Sequence, residues 1–356
     1  MKMIALSLNV HIADLNGMSD FDWRWNKSEI KKDKEIKVFS TFSCGGGSSL
    51  GYKRAGFDVI GNVEIDPKIN DLYITNNKPK YNFCEDLRVF NLRDDLPEEL
   101  YHLDILDGSP PCTSFSTAGV RERDWNKEKR FREGQAYQKL DDLFFVFLDT
   151  VEKLQPKIVI AENVVGIVKG KAKGYVNLIL KRFRSLGYNV QVFKLNSAYM
   201  NVPQARERIF FIANRMGFEK LELSFNESPI VFREVRSEHG KPFKDKNSYL
   251  QTLIEKAGPN DRKLEDVIER ISGEKGKYFT IPIVHDSQVA PTVTSGGNFF
   301  RYCDRLLLSD EDFRNVQSFP QDYDFKKNNV QYVCGMSVPP NMMANVAKEV
   351  YRQWLS

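Results

Sequence analysis

Apolar and polar positions alternate along most of this chain in two periods, and the switches between them mark out its elements. Ile36-Lys37-Val38-Phe39-Ser40-Thr41-Phe42 reads as a strand, interrupted at once by Ser43-Cys44-Gly45-Gly46-Gly47. Residues 48–56 then read as a helix closing on Gly56, and residues 58–64 as a second strand ending on the carboxylate of Glu64. Leu103-Asp104-Ile105-Leu106 is short enough to be one buried strand, stopped by Gly108, Pro110 and Pro111, because proline fixes its own φ and restricts its neighbour. Residues 140–154 carry the 3.6-residue period of an amphipathic helix, with Leu143, Phe144, Phe147, Leu148 and Val151 on its apolar side. Pro156 resets the chain into the strand Lys157-Ile158-Val159-Ile160-Ala161, which runs into Glu162-Asn163-Val164. A helix near 175–187, a strand at 189–195, the apolar strand Ile209-Phe210-Phe211-Ile212-Ala213 and a last helix at 341–355 continue the alternation. Such alternation predicts an α/β fold.

Two stretches break the pattern. Residues 1–35 show no clean period; Phe21-Asp22-Trp23-Arg24-Trp25 forms an aromatic patch suited to docking on the domain, and Met18 is an alternative start. Between 218 and 288 hydrophobic residues thin out and Lys, Glu, Asp and Asn cluster, as in Phe243-Lys244-Asp245-Lys246-Asn247. The expected division is an N-terminal extension at 1–35 without an assigned role, a catalytic and cofactor-binding domain at 36–217, a second, smaller domain at 218–288, and a return to the first domain at 289–356.

Composition narrows the class. With 356 residues, 41% of them hydrophobic, the chain can bury a substantial core. No apolar run approaches the ~20 residues that span a bilayer. Five scattered cysteines without a CxxC pair argue for reduced thiols in a cytoplasmic protein, and against a zinc site or a disulfide framework. A formal charge of +4 permits a nucleic-acid partner without requiring one.

Candidate chemistry gathers at the ends of the strands. Strand, glycine loop, helix, strand, acid is the layout of a nucleoside-binding half-site, in which Gly46 and Gly47 let the backbone approach a ligand and Glu64 accepts from ribose hydroxyls. The helix opens with Ser48-Ser49 and no basic residue sits where a pyrophosphate would need one. A cofactor with ribose and adenine but no phosphate fits better, and S-adenosylmethionine is the common one. Asp86 is placed to receive an adenine amino group. Residues 117–138 carry Arg121, Arg123, Lys127, Lys129, Arg130 and Arg132 interleaved with Trp125 and Phe131, a composition suited to a lid over a phosphate backbone. Arg206 and Arg208, two apart at the mouth of an apolar strand, should point the same way.

Taken together, Phe42 with Gly46-Gly47, Glu64, Pro111-Cys112, Glu162-Asn163-Val164, Gln204-x-Arg206-x-Arg208, Gln317-Ser318-Phe319-Pro320 and Gly335 with Ser337-Val338-Pro339 resemble the DNA (cytosine-5) methyltransferases of bacteria and phages. The likeness covers about residues 36–217 and 290–352. It implies a Rossmann-like S-adenosylmethionine-dependent methyltransferase sheet with a smaller target-recognition domain at 218–288. By resemblance, Cys112 is the nucleophile that adds to carbon 6 of cytosine, which activates carbon 5 toward an electrophilic methyl. Glu162 holds ring nitrogen 3 and the exocyclic amine, Arg208 contacts the carbonyl oxygen at carbon 2, and Arg206 pairs with Glu162 or braces the site. Phe42, Gly46, Gly47, Glu64, Ile65, Asp86, Leu87, Pro111, Ser337 and Val338 are the expected cofactor contacts, with no metal. The target base must leave the double helix to be reached.

Departures from the family pattern fall at Ser40, where an acid is usual, at Cys44 in place of Gly, at Thr113, at Asn315 and at Met336. The resemblance implies double-stranded DNA as partner, no membrane, a monomer, a nucleoid association through DNA, and compatibility with a cognate restriction endonuclease. Two alternatives stay open at this point: a tRNA cytosine-5 methyltransferase sharing these motifs, and a non-catalytic DNA-binding subunit of the same fold.

Overall fold

The computed structural model describes residues 21–111, 143–169, 172–243, 249–274 and 281–356, with the backbone of 128–129 and 138–139. Its strands, in chain order, are β1 (Lys37–Thr41), β2 (Asp58–Val63), β3 (Tyr81–Phe83), β4 (Ile105–Gly108), β5 (Glu128–Lys129), β6 (Gln138–Lys139), β7 (Ile158–Val164), β8 (Asn189–Asn196), β9 (Gln204–Ala205), β10 (Glu207–Asn214), β11 (Ile283–Val284), β12 (Ala290–Pro291) and β13 (Phe300–Arg301). Its helices are α1 (Gly47–Arg54), α2 (Pro67–Asn77), α3 (Leu87–Leu92), α4 (Leu143–Leu154), α5 (Ala172–Ser185), α6 (Tyr249–Glu255), α7 (Leu264–Ser272), α8 (Asp310–Val316), α9 (Val330–Met336) and α10 (Pro340–Val350).

Seven strands make one sheet in the order β3-β2-β1-β4-β7-β10-β8. The first five pair in parallel, and β10 runs antiparallel to both β7 and β8. The chain leaves β1 toward β2 on one side and returns to β4 on the other. A crevice therefore opens between the carboxyl ends of β1 and β4, where sheets of this kind bind ligands.

The period-2 pattern decides which face each residue covers. Phe39, Leu106, Val159 and Phe211 pack on one face with Phe144 and Phe147 of α4. Their neighbours Val38, Ile105, Ile158, Ile160 and Phe210 pack on the other face with Met343, Val346 and Ala347 of α10. Both faces are thus covered, which is why these strands read as continuous apolar runs.

A third cluster joins Trp25, Leu50, Phe232, Val293, Phe313, Phe319 and Val333. The smaller region has its own core of Leu253, Ile254, Leu264, Val267, Ile283 and Phe300. After β12 pairs with β9, the chain revisits that small core through Phe300 and Leu307. Arg301, 1% exposed, pairs there with Asp304 at 2.6 Å and Asp312 at 3.4 Å, fastening the small core to α8.

The N-terminal aromatic patch docks on the main domain. Trp25 is buried, donates from Nε1 to the Ser318 carbonyl at 2.9 Å, and lies 4.5 Å from the Arg54 guanidinium. In two places the strands differ from the pattern reading. β4 extends through Asp107 and Gly108, so the prolines, not Gly108, end it. The chain breaks between β9 and β10 at Arg206, so Arg206 and Arg208 do not share a strand face.

Candidate active site

Phe42, Glu64, Ile65, Asp86, Leu87 and Pro111 converge on one cleft at the carboxyl ends of β1, β2 and β4, with about 860 Å³ of empty space open in part to solvent. Cys44, Val63, Asp66, Ile69, Glu85, Ser109, Leu143, Tyr332 and Met336 complete its wall; of these the sequence had set only Cys44 and Met336 beside the cofactor, as departures from the family pattern. The apolar members come from elements whose other residues are core. The acids come from the strand ends, where the backbone turns away.

Glu64 is held by backbone amides. Cys44 N donates to Oε2 at 2.8 Å and Asp66 N donates to Oε1 at 3.0 Å. Each oxygen keeps a second lone pair, so the carboxylate can still accept from a ligand. Burial raises its pKa, and the two amides oppose that rise. Asp66 caps α2 by accepting from Lys68 N at 2.9 Å. Asp86 caps α3 through Arg88 N at 2.8 Å and pairs with the Arg88 guanidinium at 3.2 Å. Burial pushes the Cys44 thiol up to about 12, so it stays protonated near neutrality and acts as a small wall residue.

The glycine loop works differently from the sequence expectation. A Cβ on Gly46 (φ +78°) would collide with the Asn77 amide, and one on Gly47 would collide with the Val338 carbonyl. Neither glycine lines the cleft; both let α2 and the 337–338 segment close in behind the loop. Ser337 and Val338 likewise stand buried behind the wall, Ser337 Oγ donating to the Val333 carbonyl at 2.8 Å.

A second group forms at the ends of β7 and β10. Arg208 Nε lies 2.8 Å from Glu162 Oε1, a charge pair with both side chains nearly buried. Arg206 is 2% exposed and does not pair with Glu162. It donates to the carbonyls of Val293 at 2.9 Å, Gly335 at 2.9 Å and Ser337 at 3.1 Å. Of the two roles the sequence left open for Arg206, the structure shows the brace.

Asn163 joins the two groups, donating from Nδ2 to the Pro110 carbonyl at 3.1 Å. Gln204, fully buried, accepts from Val293 N at 2.8 Å and donates to Gln317 Oε1 at 2.5 Å, and Gln317 donates to the Ser337 carbonyl at 2.8 Å. Asn315 donates to the Val235 carbonyl at 2.8 Å, tying α8 to the 218–288 segment. Cys112 and the basic residues between 117 and 138 lie outside the described side chains.

Acidic and apolar lining suits one kind of nucleoside cofactor. Among the described residues no lysine or arginine lines the cleft, which disfavours a phosphate and fits a cationic ligand with an apolar ring. The residues present therefore fit S-adenosylmethionine.

A model of the C-5 cytosine-specific DNA methylases matches residues 36–352. The Type II methyltransferase M1.HphI of Haemophilus parahaemolyticus is 29% identical over 342 residues, covering 89% of this chain and 87% of that protein. M.AplI of Arthrospira platensis, also a Type II methyltransferase, is 31% identical over 345 residues, covering 92% and 90%. The solved structure of the Dnmt2 methyltransferase of S. pombe shares the fold with a TM-score of 0.59 at 17% identity, covering 91% of this chain and all (100%) of that one. This chain belongs to the C-5 cytosine-specific DNA methylase family and is a DNA (cytosine-5-)-methyltransferase.

Proposed function

We propose that this enzyme methylates cytosine within a specific sequence of double-stranded DNA, using Cys112 as a covalent nucleophile on a base flipped out of the helix. The observation that carries this reading is the convergence of the acidic, phosphate-averse cleft with the buried Glu162–Arg208 pair, linked through Asn163 to the loop that leads into Cys112.

Phe42, Glu64, Ile65, Asp86, Leu87 and Pro111 would hold the donor in the cleft, where it would supply an electrophilic methyl for carbon 5. The protein does the rest. The Cys112 thiolate adds to carbon 6, forming a carbon–sulfur bond as the ring electrons move toward carbon 5. Glu162 holds ring nitrogen 3 and the exocyclic amine, so charge developing on the ring meets a fixed carboxyl group. Arg208 orients Glu162 and reaches the oxygen at carbon 2. Arg206 braces the carbonyls around them. Loss of the carbon 5 proton to a base or water then expels Cys112.

Gly46, Gly47, Ser337 and Val338 support the cleft from behind. The basic segment 117–138 closes over the DNA backbone and residues 218–288 read the target sequence. The protein acts as a monomer on one strand at a time, and its Type II relatives suit a pairing with a restriction endonuclease.

The test is covalent trapping. DNA containing 5-fluorocytosine, mixed with enzyme and S-adenosylmethionine, should give a denaturant-stable adduct, because fluorine blocks the final elimination. Cys112→Ser should give no adduct and no turnover while still binding the cofactor. Methylation by Cys112→Ser would sink the mechanism, and trapping on tRNA rather than DNA would reassign the substrate.

A further inference from the structure

One buried carboxylate lies outside the mechanism above. Asp107 occupies the same face of β4 as Ile105, in the apolar row that packs on α1 and α10, and is 2% exposed. Its partners are hydroxyls. Oδ2 accepts from Ser40 Oγ at 2.7 Å, and Oδ1 accepts from Ser48 Oγ at 2.8 Å and Tyr52 OH at 3.2 Å. The Asp107 carbonyl also accepts from Thr41 Oγ1 at 3.0 Å.

These partners bracket the donor loop. Ser40 and Thr41 end β1 just before it; Ser48 and Tyr52, one helical turn apart, lie on α1 just after it. The enclosed loop is conformationally costly, with left-handed backbone at Phe42 (φ 51°), Cys44 (φ 46°) and Gly46 (φ 78°). The two non-glycine positions are strained and persist only where their surroundings over-determine them. The same loop supplies the Cys44 amide to Glu64 and the Phe42 wall of the cleft. Downstream of Asp107, Ser109 and Pro111 line that cleft and Cys112 follows.

We propose that Asp107 is a positioning residue: its carboxylate clamps both ends of the donor loop and, through β4, sets that loop against the strand that leads into the nucleophile. This rests on the assignment of the cleft to the methyl donor. An ionised carboxylate can accept from all three hydroxyls at once. A protonated one carries its proton on one oxygen, so a hydroxyl on that side must turn from donor to acceptor and find another partner for its own proton, and the bonds lose their charge assistance.

Stability alone does not account for a carboxylate here. Burial raises its pKa from 3.8 to about 6, against the opposing effect of the three hydroxyls. The folded chain therefore holds this proton more tightly than the unfolded chain. From this group alone, stability falls as pH rises between those values and is level above them. Among the described residues, the ionisable groups facing Asp107 are Tyr52 of α1, Tyr73 of α2 and Glu162 of β7. Burial raises both phenols, so both stay neutral where Asp107 titrates.

The experiment compares full-length wild type with Asp107→Asn and Ser48→Ala. It reads S-adenosylhomocysteine binding by calorimetry from pH 5.5 to 8, with thermal unfolding and steady-state kinetics alongside. Asp107→Asn should weaken binding at pH 7.5 by about tenfold, the scale of hydrogen bonds to a charged group. It should raise the donor KM far more than it lowers kcat, and should leave Tm unchanged or higher. Wild-type affinity should fall as pH drops through about 6, while the Asn variant lacks that step. Ser48→Ala should show a smaller loss of the same kind. Moving the acid to its ladder partner, in the double variant Ser40→Asp with Asp107→Ser, should recover binding. If Asp107→Asn binds within twofold of wild type with an unchanged pH profile, the proposal is overturned; if Asp107→Asn fails to fold, Ser48→Ala is decided on the same criterion. A wild type that binds no S-adenosylhomocysteine removes the cleft assignment and this proposal together. Equal binding by wild type and variant removes this proposal alone.

Discussion

Glu64 and Glu162 stand at the carboxyl ends of two strands of one sheet, yet the chain prepares them in opposite ways. Around Glu64 the partners are neutral: two backbone amides from the turns after β1 and β2. Around Glu162 the partner is a cation, Arg208, itself nearly buried. A site prepared by backbone amides keeps its shape when the side chain changes, because the amides belong to the fold. A site prepared by a buried charge pair does not, because removing one charge strands the other at a cost of about 3–5 kcal/mol. Substitutions should therefore act locally in the cleft and globally at the β7–β10 end.

The largest effect should come from Glu162→Ala. It removes the group proposed to hold the base and leaves Arg208 buried without a counter-charge. Methyl transfer in single-turnover assays should fall by 10²-fold or more on the usual scale for a positioned acid or base, roughly 10²–10⁴. Tm should fall as well. Glu162→Gln separates the two terms, since it keeps the shape but not the charge. An active, stable Glu162→Ala variant would break the contrast at its strongest point.

Arg206→Ala comes next and should act on stability before catalysis. Three carbonyls lose an Arg206 bond at once, at Val293, Gly335 and Ser337, and the last of them keeps Gln317 as a donor. Each buried acceptor left unsatisfied costs ~1–3 kcal/mol. Denaturant unfolding should show the loss directly. Arg206→Lys should recover little of it, because one ammonium cannot reproduce a fork spanning separate segments.

Glu64→Gln should be milder and confined to the cofactor. The amide oxygen can accept from only one of the two backbone N–H groups now divided between the carboxylate oxygens. S-adenosylhomocysteine binding should weaken about tenfold while DNA binding and Tm hold. Because burial raises the Glu64 pKa, the wild-type carboxylate protonates at higher pH than an ordinary glutamate. Cofactor affinity should thus decline on acidification sooner than for an exposed glutamate, and Glu64→Gln should flatten that part of the profile. Equal losses of DNA and cofactor binding would show that the two halves are not separate.

The same contrast explains what could be read in the sequence. Short continuous apolar runs announced the sheet, since Val38 and Phe39 or Ile105 and Leu106 go to opposite, equally covered faces. Glu64 was legible because a lone acid closing an apolar strand has few structural uses. Asp107 was not: a carboxylate one step from a glycine and three from the first of two prolines looks like a turn residue, and only the pairing of β4 with β1 shows it buried against Ser40. The glycines were read as ligand contacts, and the packing that requires them could not be seen, since their neighbours Asn77 and Val338 are far away in sequence. Arg206 and Arg208 looked alike because their spacing assumed an unbroken strand. The carbonyls that draw Arg206 away belong to residues 293, 335 and 337.

The smallest predicted effect lies outside both halves. Residues 21–35 precede the stretch matched by the family, yet they are fastened to it at several points. Trp25 donates to the Ser318 carbonyl, the Trp25 carbonyl accepts from Gln321 N at 2.8 Å, and Lys27 N donates to Asp322 Oδ1 at 2.8 Å. Ser318 in turn holds left-handed backbone (φ 55°), and Tyr323 OH, a few residues on, donates to the Gly45 carbonyl at 2.5 Å. Trp25→Phe removes the indole N–H and part of the ring over Arg54 but keeps most of the buried area. It should cost about 1–2 kcal/mol, the sum of one net hydrogen bond and a weakened cation–π contact. Chemical denaturation should register that loss, while kcat and the cofactor KM stay at wild-type values, because the strap grips the Gln317-Ser318-Phe319-Pro320 turn without touching the cleft wall. A rise in the cofactor KM would show that strain at Ser318 reaches Gly45 through Tyr323, and would make the N-terminal strap a third part of the cofactor site.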